Sequence, residues 1–225
     1  MKTLYISTSL LVAGALLASG QELTPDHRLR NAADVFREVM ATPDKGIPHA
    51  LLDRAQCIVI IPGMKKAAFV FGADYGKGYA VCRTTAGTWG APDPVGLSGG
   101  SFGPQLGIDS TDVILLMMSD KGLNHLLADK FTIGGDAAAA VGPVGRDAAA
   151  DTDLSLRAEI LSWSRTHGLF AGASLDGTVL THSKGETKKL YGREYSSREL
   201  IRGNVAPTPA AETLLSELNA YGPKK

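Results

Sequence analysis

The sequence predicts an α+β fold, one compact domain with an antiparallel, glycine-rich β-sheet or barrel-like core and flanking helices. Three observations carry this expectation. Short apolar runs bounded by turn signals recur through the middle of the chain, while helix-spaced apolar residues gather at its two ends. Long helices do not alternate with the strands, as a parallel βαβ sheet would require. A chain of 225 residues, 44% hydrophobic and 20% charged, is also sized for a single domain that buries a core without staples.

The first twenty residues read as an address rather than structure. Lys2 supplies a positive start, residues 10–18 an apolar stretch, and Ala18-Ser19-Gly20 a small-residue cleavage site. The expectation is a signal peptide over residues 1–20, a mature chain over 21–225 beginning at Gln21, and an exported, periplasmic or secreted protein that is peripheral at most.

Along the mature chain, Leu29, Ala32, Ala33, Phe36, Val39 and Met40 recur at helical spacing, with Arg30, Asp34, Arg37 and Glu38 on the other face. Pro43 and Gly46 stop this helix, and Pro48 opens a short second one. The run Cys57 to Ile61 is a buried strand that Pro62-Gly63 is expected to end. Residues 67–73 and 79–84 flank Gly72, Gly76 and Gly78 in a hairpin pattern. A glycine-rich tract covers 90–107, a strand 112–118 and a short helix 121–128. Strands are expected at 155–164, 169–175 and 178–182, the last after an Asp176-Gly177 turn. Leu214, Leu215, Leu218 and Tyr221 mark a final amphipathic helix.

Charge and motif content narrow the function. Lys+Arg 23 against Asp+Glu 23 gives no basic excess, which speaks against nucleic acid as partner. The five histidines are scattered without metal-ligand spacing, so neither a metal nor another cofactor is expected. Gly96-Leu97-Ser98-Gly99-Gly100 fits the G-x-S-x-G pattern of a hydrolase nucleophile turn, but the residues after it will not start the helix that turn needs. A serine hydrolase is therefore a distant third reading, and glycine at this density fits bends and close backbone approach in a sheet. In an oxidising compartment a Cys57–Cys82 bridge would persist, and two different strands carry the pair. Two small buried thiols that never meet are the alternative.

Two basic features remain. Lys65-Lys66 follow Pro62-Gly63, expected at a tip between two apolar strands. Lys184, Lys188, Lys189, Arg193, Arg198 and Arg202 face only Glu186, Glu194 and Glu199 in a basic loop or helix. An anionic membrane attracts such residues by about 1 kcal/mol each. The candidate contact set is Lys65, Lys66, Lys188 and Lys189 for attraction, with Leu29, Phe36 and Met40 as an apolar stripe. Packing of that stripe on the sheet is its competing role.

Several phrases together resemble a known family. They run from Gly87-Thr88-Trp89-Gly90-Ala91-Pro92 to Gly99-Gly100-Ser101-Phe102-Gly103-Pro104-Gln105-Leu106-Gly107, then Thr111-Asp112-Val113 and Gly142-Pro143-Val144-Gly145-Arg146. Ser162-Trp163-Ser164, Gly168-Leu169-Phe170-Ala171-Gly172, Leu175-Asp176-Gly177 and Tyr191-Gly192 follow. In order and spacing these resemble the SYLF domain over residues 31–205. The resemblance implies a lipid-binding module rather than an enzyme. Eukaryotic relatives bind phosphoinositides, and some bind actin filaments. The export-type N-terminus departs from them, so the expected partner is an anionic phospholipid surface of the cell envelope. The alternative is an envelope interaction protein that holds a protein partner.

Overall fold

A computed structural model describes residues 23–42, 46–68, 71–102, 107–145, 158–203 and 205–222. The expected signal peptide lies outside them. Helix α1 (Pro25–Met40) begins four residues before the first periodic leucine. The Thr24 hydroxyl accepts from the His27 amide at 3.4 Å and Pro25 fills the first turn, so Thr-Pro-Asp is the start signal. Helix α2 is His49–Arg54.

Four long strands follow: β1 (Cys57–Ala68), β2 (Phe71–Cys82), β3 (Asp93–Phe102) and β4 (Gly107–Met117). They form the centre of the sheet in the order β3-β2-β1-β4. Two expectations fail here. Pro62-Gly63 does not end β1; the register of β1 shifts against both neighbours at this point, and the strand runs on. It is a bulge, with Gly63 at φ +60° and its amide donating to Asp112 Oδ1 at 2.8 Å. Lys65 and Lys66 accordingly sit inside a paired strand, not at a tip. Likewise Gly72, Gly76 and Gly78 are strand residues of β2 rather than its turn. A Cβ on Gly78 would lie 1.9 Å from the Ile60 carbonyl oxygen, so glycine is required where the bulged backbone closes in.

Beyond β4 come α3 (Asp120–Leu126), β5 (Lys130–Thr132), β6 (Ala139–Val141), β7 (Ile160–Thr166), β8 (Leu169–Gly172) and β9 (Val179–His182). The chain then forms α4 (Lys184–Tyr191), α5 (Ser197–Arg202), a 3-10 turn Pro209–Ala211 and α6 (Glu212–Tyr221). Among the described residues the curled sheet has nine strands. Its main path is β5-β9-β3-β2-β1-β4-β7-β6, and β8 joins β7 beside β6. Every pairing is antiparallel except β6 with β7, so the sheet is mixed.

Each face of the sheet buries its own apolar cluster. Leu29, Phe36, Ile60, Tyr79, Trp163 and Leu214 belong to the cluster under α1, α2 and α6. Ile61, Leu97, Leu115, Phe131, Leu180 and Ile201 belong to the other, closed by α3, α5 and the short strands. Cys57 and Cys82 are register partners at one end of the β1–β2 ladder and are joined as a disulfide.

Candidate functional site

The apolar stripe of α1 is spent on the fold. Leu29 and Phe36 are fully buried and Met40 is 9% exposed, so the membrane-facing role expected of them is corrected. The reason is elementary: an amphipathic helix has one apolar face, and the sheet covers it. What α1 turns outward is Arg30, Arg37 and Glu38.

The lysines divide. Lys65 is exposed, its ammonium 3.5 Å from the Ser110 hydroxyl. It is the register partner of Tyr75, four residues along β2 from Tyr79 of the α1-side core, so it belongs to the α1 side. Position 66 belongs to the opposite face and pairs in register with Asp74 and Asp109. Lys188 and Lys189 are exposed in the last turn of α4, which packs against α1 and β3. Three of the four nominated cations thus gather on one side of the molecule. Lys188 and the exposed Arg198 and Arg202 of α5 face solvent with no carboxylate paired to them among the described residues.

Lys65 also borders a cleft of about 310 Å³ between α1 and the β1 bulge, lined by Asn31, Val35, Pro62 and Gly63. Arg165 at its edge is held by Glu38 of α1 and by Asp112 of β4, whose Oδ2 lies 2.9 Å from Nε. Burial works against that guanidinium's charge, but the two carboxylates outweigh it and raise its pKa.

A buried ionic anchor beneath α4 escaped the sequence reading. Glu186 is 5% exposed and Arg28 of α1 likewise, with 2.8 Å between Oε2 and Nη1. Lys77 of β2 and Lys189 reach its other oxygen at 3.3 and 2.8 Å. Burial alone would raise the carboxyl's pKa; the surrounding cations reverse this and bring it from 4.5 to about 2. The available signal was Arg28 itself, a charge beside Leu29 and one turn before Ala32 on the apolar stripe, which has to find a partner when buried.

A second buried pair lies across the sheet. His182 Nδ1 is 2.7 Å from Asp93 Oδ1, and Nε2 donates to the Tyr195 carbonyl at 2.9 Å. Burial favours the neutral ring, but Asp93 overcomes it and the pKa is raised. Both ring nitrogens are occupied, which leaves neither for acid–base chemistry. Ser98 sits in the middle of β3, paired with Tyr75 on one side and Val179 on the other. A nucleophile turn needs a strand-to-helix bend there, and none is present at Ser98.

A family model described as Ysc84, Las17-binding protein actin regulator, matches residues 98–221, from mid-β3 to the end of α6. The chain belongs to the Ysc84 family. This is the family of the SYLF resemblance. Its description names a binding protein and regulator rather than an enzyme. Among Ysc84-family relatives, the chain is 36% identical over 177 residues to the SH3 domain-containing protein PJ696.02 of Schizosaccharomyces pombe, covering 77% of this chain and 41% of that one. It is 32% identical over 180 residues to protein YSC84 of Saccharomyces cerevisiae, covering 79% and 38%. It is 29% identical over 201 residues to the human SH3 domain-containing YSC84-like protein 1, covering 87% and 58%. The chain therefore spans less than two thirds of the length of these relatives.

Proposed function

We propose that this Ysc84-family chain is a non-catalytic, peripheral lipid-binding module that works on an anionic phospholipid surface after export. The observation that carries the reading is a set of solvent-facing cations, Lys65 and Lys188 on the α1 side of the sheet and Arg198 and Arg202 on α5, which closes the opposite core. Lys188, Arg198 and Arg202 point to solvent without an acidic partner among the described residues, and Lys65 is exposed on the α1 side. Each such residue near an anionic surface contributes about 1 kcal/mol, so a few of them support reversible attachment despite a net charge of zero. The small-residue cleavage pattern before Gln21 supports export, and an intact mass matching a chain that begins there would agree with it.

Vesicle co-sedimentation tests the proposal. Binding to vesicles rich in anionic lipid is expected at low salt, falling roughly tenfold or more as salt approaches 0.5 M, because exposed charges are screened. Binding that ignores salt and lipid charge would overturn it. A second reading, attachment to a protein partner, draws on the family description as Las17-binding and on the relatives' SH3-domain names. Binding to a purified envelope protein with no vesicle binding would favour it.

A further inference from the structure

The bulge that carries β1 past Pro62-Gly63 re-aims the side chains beyond it. Ile60 belongs to the core under α1, while Ile61 and Met64 both belong to the core on the opposite face. Strict alternation from Ile61 would send position 65 into that second core. The extra residue reverses this and stands Lys65 on the α1 side, at the cleft between α1 and the bulge. Bulges beside sites commonly re-aim a side chain in this way.

The charges around the cleft are divided. Arg37 is shared by Asp34 of the α1 wall and by Glu217, and Arg165 at the other edge by Glu38 and Asp112. Two carboxylates against one guanidinium leave a negative surplus in each group. Lys65 has no carboxylate partner among the described residues, only the Ser110 hydroxyl at 3.5 Å. The half-buried side-chain amide of Asn31, also in the lining, bonds to no other described residue. Leu23 at the rim is 50% exposed, although Arg28 fixes its carbonyl at 2.8 Å. Ser110, the register partner of Lys65, precedes Asp112 by two residues on the same face of β4. The strand positions carrying the positive and negative ends are therefore about 7 Å apart.

We propose that this cleft binds a small zwitterion, with its anionic oxygens on Lys65 and Asn31 and its ammonium toward Asp34 and the Arg165 corner. Leu23 and Pro62 supply apolar contact for the carbons between. A phosphoethanolamine ester has this chemistry, free in solution or as a lipid headgroup. A plain anion would face the negative surplus and a plain cation would face Lys65, so each satisfies only one end. The volume of about 310 Å³ is at the small end for ligand sites. The inference goes beyond the anionic-surface reading, uses only Lys65 of its cations, and does not depend on salt-sensitive vesicle binding.

The test titrates glycerophosphoethanolamine, glycerol phosphate and ethanolamine into the purified chain and follows the amide shifts of Asn31 and Gly63. Saturable binding of the zwitterion is expected, with each of the other two roughly tenfold weaker. Lys65→Met should weaken the zwitterion roughly tenfold, and Lys130→Met, at an exposed position of β5, should leave it unchanged. Asn31→Ala serves as second variant if the first lowers the melting temperature. Vesicles with and without phosphatidylethanolamine, in phosphatidylglycerol at 0.5 M salt, separate the two sources. A Lys65-dependent gain in binding supports a lipid headgroup in the cleft; no gain, with the soluble ester still bound, supports a free solute. Glycerol phosphate or ethanolamine binding as tightly as the zwitterion overturns the proposal, as does the absence of saturable binding by all three.

Discussion

At the residue scale, Glu186 governs how α1, β2 and α4 are held together. Its carboxylate compensates Arg28 in a setting that excludes water, and removing one partner of a buried pair leaves the other charge stranded. Glu186→Gln is expected to cost about 3 kcal/mol, a melting temperature roughly 6–12 °C lower. The pairs to Lys77 and Lys189 involve better exposed ammonium groups and add little. The acid side follows in sign. The folded pKa lies below the unfolded one, so Glu186 stabilises the fold above about 4.5 and loses that contribution as pH falls toward about 2. Melting temperatures between pH 6 and 2.5 should decline more steeply for wild type than for Glu186→Gln. Equal slopes would remove Glu186 from the account.

At the element scale, glycines with the same composition have opposite roles. Gly78 lies against the Ile60 carbonyl, whereas a Cβ on Gly185 in the first turn of α4 would meet nothing within 4 Å. Gly78→Ala forces backbone apart and is expected to cost about 3 kcal/mol or prevent folding. Gly185→Ala removes unfolded-state freedom and is expected to gain about 0.5–1 kcal/mol. Urea melts of both variants check the pair; similar shifts would contradict the packing argument. The same glycines show where the sequence could be read and where it could not. Helical periodicity identified α1 and α6, each of which buries one regular apolar face, and the continuous apolar runs at 57–61 and 113–117 marked strands buried on both faces. Pro62-Gly63 carries the dipeptide of a turn, and only the neighbouring strands make it a bulge. The α1 stripe was legible as apolar, but what covers it depends on the sheet. Of the candidate cations, Lys188 and Lys189 were visible as a run, while the pairing of Lys189 to Glu186 needed the helix and its neighbour in three dimensions.

At the scale of the whole molecule, the sheet keeps its two cores apart, and each has its own ionic fastening. Glu186 serves the α1 side. His182, through Asp93 and the Tyr195 carbonyl, ties β3 and β9 to the segment between α4 and α5. The signs oppose. His182 has a raised folded pKa, so its contribution is complete below the unfolded value of 6.5 and is lost as pH rises through the folded value. Stability measured by urea melts should therefore decline at the alkaline end, and His182→Gln should lose that decline while starting from a lower value at pH 6. An unchanged alkaline limb in the variant would mean that other groups set it.

The disulfide joins the start of β1 to the end of β2, at the end of the hairpin ladder opposite the Ala68–Gly72 pair. That hairpin is therefore a covalently closed ring with a sequence separation of 25 between its two cysteines. Tension applied at the far end of the ladder can part the two strands, but it cannot draw either of them out of the sheet past the bond. The load passes instead into the chain on both sides of the ring, at α2 and at the segment leading to Trp89.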